Sequence, residues 1–362
     1  MNSLNPKAYP IGVDLGTGSV KLAQLRAADG ELLDLMAAAA SEIPADCRKD
    51  LQRRNEFLAQ AIREGLKSNN FQGRQAILCL PAAHTFLQHL RMPRLSPTDL
   101  PKALRMELQG KLPYAVDDAV IRHVVAGSVF GDPDGKQEVI VVAVDRGTLE
   151  SYLSVAAKAK LDVVGINVES CAIVECFARL FRRASDTDRA IMFIDLGSSS
   201  TQVVLSHGDR MVFAHNLAQG ELQVDKAVAS GMGIPVEQAR ALRWDLQKAG
   251  KPGPAEDELY RHIDAHLVGL ADEVNQCLHY YESVFRSQPV ERAIFVGGGA
   301  YDKRLCQTLA QRLNIPAQVG DPLVRVRRME GAGLQIGLDR REPQPNWAVA
   351  VGLSLGAATV AA

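Results

Sequence analysis

The chain has 362 residues, 47% apolar and 23% charged, and its 41 basic and 42 acidic side chains leave a net charge of −1. That length predicts two domains, and the composition is that of a soluble globular protein; the neutral balance removes any electrostatic case for nucleic acid as a partner. No stretch reaches the ~20 apolar residues of a membrane span, and residues 1–10 lack the apolar core of a signal peptide. A cytoplasmic protein with no direct membrane insertion is expected. The six cysteines (Cys47, Cys79, Cys171, Cys176, Cys277, Cys306) show no CxxC spacing and are expected to be reduced and buried. The basic clusters at 48–54 and 325–328 read as solvated faces.

Residues 10–43 predict a three-strand meander, whose first turn reads Asp14-Leu15-Gly16-Thr17-Gly18-Ser19 and leads into Lys21. A helix over 55–67 and a strand over 75–79, ending at Pro81, follow. Next come a strand at 87–91, a proline-punctuated stretch, and a helix over 99–109 with Asp99 as cap and Pro101 in its first turn. After a break at Lys111-Leu-Pro-Tyr114, strands at 119–129 and 138–144 flank a Gly131–Gly135 turn, and a helix covers 148–159. Residues 163–167 lead into a helix that contains Glu169.

The polar stretch 185–189 bridges to a second strand and turn, Asp195-Leu196-Gly197-Ser198-Ser199-Ser200-Thr201-Gln202. A strand at 211–217, the phrase Gln219-Gly220-Glu221 and a helix over 236–248 come next. One long helix over 257–285 repeats Leu259, Ile263, Leu267, Leu270, Val274 and Leu278 at helical spacing, which marks core rather than a cofactor box. A buried strand ends in Gly297, Gly298 and Gly299, before a helix at 302–313 and a strand at 317–319. The apolar run 347–362 predicts a closing helix packed back on the body.

The two Asp-Leu-Gly turns lie 181 residues apart in matching strand contexts. One copy would be ordinary hairpin chemistry. Two suggest a shared task, because a glycine and hydroxyl tip presents backbone N–H groups that cradle an anion. A carboxylate beside such a cradle makes sense with a divalent cation between them. Three glycines ending a buried strand let a flat ring approach bare backbone. None of the Gly-Lys pairs is followed by Ser or Thr, and no GxGxxG follows a strand, so neither a P-loop nor a dinucleotide site is present.

These three elements resemble the actin-like ATPase superfamily. The segment between Cys79 and Val168, read as an insertion in the first half, narrows the resemblance to FtsA and to the PilM family of pilus assembly proteins. Leu112-Pro113-Tyr114 with Asp117 and Asp118, the long helix ending near Tyr280 and Tyr281, and the glycines after it are similar to the PilM family. The resemblance implies an α/β actin-like fold with two related halves around a nucleotide cleft. The first half would comprise 8–83 and 166–188 with the closing helix 345–362, the inserted subdomain 84–165, and the second half 189–344 with a helical subdomain at about 219–288.

ATP and Mg²⁺ are the implied cofactors. Asp14 and Asp195 would hold the ion; Gly16, Thr17, Gly18, Ser19, Gly197, Ser198, Ser199 and Ser200 would grip phosphates. Lys21 would touch a phosphate or else be an exposed strand lysine, and Gly297, Gly298 and Gly299 would lie along the adenosine. Gln219-Gly220-Glu221 stands where members carry a Gly-Gly pair, leaving Gly220 in that role. Arg240 and Arg243 stand where members carry an acidic residue and a lysine, which makes Arg243 the ribose-side donor and weakens the expected affinity. Glu169 is the one candidate for orienting a hydrolytic water, unless it only faces its helix dipole.

The function so implied is a cytoplasmic ATP-binding scaffold of a type IV pilus (or type II secretion) inner-membrane platform, a weak ATPase at most. Its partner would be the cytoplasmic N-terminal peptide of a single-span, PilN-like membrane protein, in a groove among 87–95, 104–112 and 119–125 with Arg91, Arg94 or Arg105. Self-association is left open. The alternatives are an FtsA-like division protein, a small-molecule kinase of the superfamily, and a structural protein with a dead nucleotide site.

Overall fold

The computed structural model describes residues 8–28, 32–48, 50–181, 189–249, 253–286, 288–329, 332, 338 and 342–356. The predicted meander is present as β1 (Ile11–Asp14), β2 (Ser19–Ala27) and β3 (Leu33–Glu42), followed by helix α1 (Leu51–Ser68) and strand β4 (Gln75–Leu80). β1 and β4 are buried at every position except Gln75, as strands covered on both faces must be. Strand β8 (Asp162–Val168) returns to pair parallel with β4 and runs straight into helix α4 (Glu169–Ala178).

Between β4 and β8 lie β5 (Phe86–Met92), α2 (Leu100–Glu107), β6 (Ala119–Ser128), β7 (Gln137–Asp145) and α3 (Arg146–Lys158). The three strands form a separate antiparallel sheet in the order β5-β7-β6, with a core of Leu90, Met92, Leu100, Leu104, Leu108, Val139 and Val141. Helix α3 turns the other way: Tyr152, Val155 and Ala156 join the core built on β1, β2 and α1.

The second half repeats the first. Strands β9 (Ala190–Leu196), β10 (Thr201–His207) and β11 (Arg210–Leu217) form a meander. Helices α5 (Glu221–Met232), α6 (Val236–Ala249) and α7 (Pro254–Val284) follow, then β12 (Val290–Val296), α8 (Lys303–Leu313) and β13 (Ala317–Val319). The order β11-β10-β9-β12-β13 matches β3-β2-β1-β4-β8, with antiparallel pairs in each meander and parallel pairs after it. Even the register repeats: Asp14 lies opposite Lys21, and Asp195 opposite Gln202.

Two elements from the end of the chain return to the first half. Strand β14 (Val326–Arg328) pairs with β3, where Arg327 donates to both oxygens of buried Asp34 at 2.6 and 3.1 Å. Arg325–Arg328 is therefore not simply a solvated face, because Arg327 neutralises a buried carboxylate. Helix α9 (Ala348–Leu355) is the predicted closing helix; residues 357–362 of that prediction lie outside the described residues. It packs backbone to backbone: a Cβ on Gly12 would stand 2.1 Å from the Ala350 carbonyl, and one on Gly352 1.8 Å from that of Ala172. Ser354 Oγ completes the seat, accepting from the Leu25 amide and donating to the Pro10 carbonyl.

A polar joint ties the inserted sheet to the second half. Glu138 on β7, wholly buried, lies 2.9 Å from His89 Nδ1 and accepts from Tyr280 of α7 at 2.6 Å. His89 Nε2 reaches the Ala214 carbonyl of β11 at 2.9 Å, and its ring stacks on Phe213. All six cysteines are free; Cys47 and Cys171 are only partly buried, short of the full burial expected.

Candidate functional site

The two hairpin tips meet face to face. Thr17 Oγ1 and Ser199 Oγ are 2.9 Å apart, and a Cβ on Gly18 would lie 2.9 Å from the Ser198 side chain, so any larger residue there would push the halves apart. Behind the tips opens a cavity of about 410 Å³, lined by both hairpins, by α4, α5 and α6, and by the glycine turn after β12. Of the predicted residues, Asp14, Gly16, Thr17, Gly18, Ser19, Lys21, Glu169, Asp195, Gly197, Ser198, Ser200, Arg243, Gly297 and Gly298 line it.

Three predicted residues stand behind that wall. Ser199 bridges to the other hairpin. Gly220 caps α5, and a Cβ there would meet the Ser200 nitrogen at 2.5 Å, so glycine is what lets α5 approach the second tip. Gly299 is buried against Leu196. Gly297 has φ of +85°, and a Cβ there would strike Asp195 Oδ1 at 2.3 Å.

The electrostatics of the cavity centre on carboxylates held too close together. Burial first, then the charge of Asp14, raise Asp195 to about 7, and Lys21 opposes the rise. Burial, followed by Asp195 and Asp14, raises Glu169 well above the usual carboxylate range. Lys21 Nζ sits 3.5 Å from Asp14 Oδ2 and so belongs to the site rather than to a bare strand surface. Gln202 donates to Glu169, from the register position that Lys21 fills in the first hairpin. Such a cluster is relieved by a cation. Among the described residues no three Asp, Glu, His or Cys side chains converge as a metal cage. An ion between Asp14 and Asp195 would therefore keep most of its water, as Mg²⁺ prefers.

On the opposite side, Asp225 of α5 accepts from Arg240 at 2.8 Å and from Arg243 at 2.5 Å, and Arg243 also reaches Asp302 at 3.6 Å. The acidic residue missing from α6 is thus supplied by α5, and Arg243 is anchored rather than free to swing. Glu221, raised to about 7 mainly by burial and held down by Arg243, faces Gly298, whose Cβ would stand 2.9 Å from its carboxylate.

Several lining residues escape the sequence reading: Arg48, Gln202, Glu221, Trp244, Tyr301 and Asn346. Gln202 was reachable by superposing the two repeats. Arg48 and Arg54 lie in the cluster expected to be solvated, yet Arg48 donates to the Ile43 carbonyl and lines the cavity, and Arg54 is only 5% exposed.

Two copies of one five-stranded unit, meeting at facing Asp-Leu-Gly hairpins over a cleft, define a protein of the actin-like ATPase fold. A structure described as a PilM-PilN type IV pilus biogenesis complex superposes with a TM-score of 0.78 at 21% identity, over 96% of this chain and 98% of that one. The ethanolamine utilization protein EutJ from Carboxydothermus hydrogenoformans shares the fold at a TM-score of 0.56 and 16% identity, over 98% of this chain and 91% of that one. No curated protein matches the chain. Residues 12–358 match the family described as type IV pilus assembly protein PilM, and the chain belongs to that family.

Proposed function

We propose that the cleft binds ATP with Mg²⁺ and that the nucleotide acts as a conformational ligand, with slow hydrolysis or none, in a scaffold of the pilus inner-membrane platform. One observation carries this reading: Asp14 and Asp195, at the same register of two superposable hairpins, face one cavity, where the Asp14 charge adds to burial in disfavouring ionisation of Asp195. Gly16–Ser19, Gly197–Ser200 and Lys21 would take the phosphates, Asp14 and Asp195 the hydrated ion, and Gly297 and Gly298 with Arg243 the nucleoside. The ion would supply charge neutralisation between the hairpins. A ligand that touches both hairpins favours the closed arrangement of the halves by its extra contacts there.

Glu169 is the water-orienting candidate, but burial and the charges of Asp195 and Asp14 favour its neutral form, which takes no proton from water, and Gln202 occupies one of its oxygens; both support slow turnover. No described helix is long and apolar enough to cross a membrane. Attachment to the inner membrane would come through a PilN-like partner, the N-terminal peptide of a single-span protein lying on the inserted subdomain. Leu104 and Leu108 are core there, whereas Met106, 75% exposed, and Leu95 remain outside it. Arg94 and Arg105 are held near that surface by Ser128 and Asp117.

Calorimetry with ATP·Mg²⁺ tests the reading. Binding is expected in the unaltered protein and lost in both Asp14→Ala and Gly298→Val, with single-turnover hydrolysis below ~1 s⁻¹. Equal affinity in all three proteins would refute the site, and fast hydrolysis abolished by Glu169→Ala would favour the kinase-like alternative. Arg105→Glu is expected to release the partner peptide without changing nucleotide affinity.

A further inference from the structure

The two hairpin tips are supported from behind by different devices. Behind the second, the first turn of α5 donates its backbone amides: Glu221 N–H to the Gly197 carbonyl at 3.0 Å and Leu222 N–H to the Ser198 carbonyl at 2.9 Å. The positive end of a helix dipole therefore stands at the back of those peptides. Among the described residues no helix amide donates to the tip carbonyls of the first hairpin. Its carbonyls, Leu15 and Gly16, both accept from Nη2 of Arg54 at 3.0 Å.

Arg54 is an unusual cation. It is 5% exposed, and among the described residues no carboxylate lies within ion-pair distance of it. A buried guanidinium is costly unless its N–H groups are satisfied. Here the satisfaction comes from the two turn carbonyls and from Tyr152 Oη, which accepts from Nη1 at 2.7 Å. Tyr152 has one proton to donate, and His84 Nδ1 lies 2.8 Å away; burial lowers the proton affinity of His84 and favours the neutral ring, which accepts that proton in the tautomer protonated on Nε2. The relay runs from the root of the inserted subdomain, through α3, to the tip of the first hairpin.

A trans peptide points its C=O and N–H in opposite directions, and the chain has no cis bond among the described residues. When the Leu15 and Gly16 carbonyls turn back to Arg54, the N–H groups of Gly16 and Thr17 turn the other way, and both residues line the cavity. Hydrogen bonding at one end of a peptide polarises it and strengthens the donor at the other. We infer that Arg54 is a positioning residue for the phosphate-binding face of the first hairpin: its buried charge, held by Tyr152 and His84, orients and polarises the Gly16 and Thr17 amides toward a polyphosphate, as the start of α5 does for the second hairpin. This inference rests on the nucleotide reading.

The test compares ATP·Mg²⁺ with adenosine, which lacks the phosphates, by calorimetry on the full chain. Arg54→Gln is expected to weaken ATP at least about tenfold, the scale of one charge-assisted hydrogen bond, while adenosine stays within about twofold; Arg54→Lys, which keeps the charge but not the fork, should recover part of the loss. A purely structural role would weaken both ligands alike and would overturn the inference, as would unchanged ATP binding in folded Arg54→Gln. If Arg54→Gln does not fold, Tyr152→Phe decides: a selective loss of ATP affinity supports the relay, and unchanged affinity refutes it. Absence of ATP binding in the unaltered protein would instead remove the nucleotide reading itself.

Discussion

Replacing Asp195 with Asn removes a carboxylate that the fold keeps buried beside Asp14. Its ionisation moves from an ordinary 3.8 to about 7, burial being the larger cause and Asp14 the second. At 1.36 kcal/mol for each pH unit, that displacement takes up to about 4 kcal/mol from the folded state once the group is ionised. Below 3.8 the carboxyl is protonated in both states and costs nothing. As pH rises to about 7, the unfolded chain ionises first, so stability falls; above that value the loss is complete. The ligand-free Asn variant should therefore match the unaltered protein near pH 4 and exceed it by roughly 2–4 kcal/mol at pH 8. Urea unfolding at several pH values measures the gap. The same variant should gain no stability from ATP·Mg²⁺. A variant less stable than the unaltered protein at pH 8, or a gap independent of pH, would refute the reasoning that these carboxylates are held apart from their preferred state for a cation.

Two further substitutions probe the elements that return to the first half. Gly352→Ala forces a methyl to within 1.8 Å of the Ala172 carbonyl; backbone on both sides leaves no flexible atom to yield, and a loss of about 3 kcal/mol is expected in urea midpoints, whereas a change under ~0.5 kcal/mol would mean that the helix is not seated as described. Arg327→Ala leaves buried Asp34 with Arg26 alone. The Arg327 bond is the main cause that holds Asp34 below its ordinary 3.8, so the variant should lose about 1–2 kcal/mol at pH 7. That deficit should shrink as pH falls below 3.8 and the carboxyl is protonated; a deficit that stays constant in acid would remove the ion pair as its cause.

Much of the architecture was legible because it is written in local pattern. Alternation and apolar runs mark the strands, the 3.6-residue period marks α7, and the Asp-Leu-Gly phrase repeats with its strand context intact. Glycine is readable for the same reason: it is chosen by backbone geometry, and Gly18, Gly297 and Gly298 all lie where a Cβ would collide. Charged side chains were not legible in this way. Arg54 and Arg63 sit on one helix and look alike as letters, but only the docking of α3 and the first hairpin against α1 buries Arg54 and gives it three acceptors. Arg327 became the partner of Asp34 only because β14 pairs with β3, 293 residues away in sequence. Asp225 replaced the acid expected on α6 because α5 and α6 pack side by side. Periodicity and glycine placement depend on the chain's own backbone, so the sequence carries them alone; whether a charge is solvated, paired or buried depends on which distant element closes over it, and that is decided only when the elements pack.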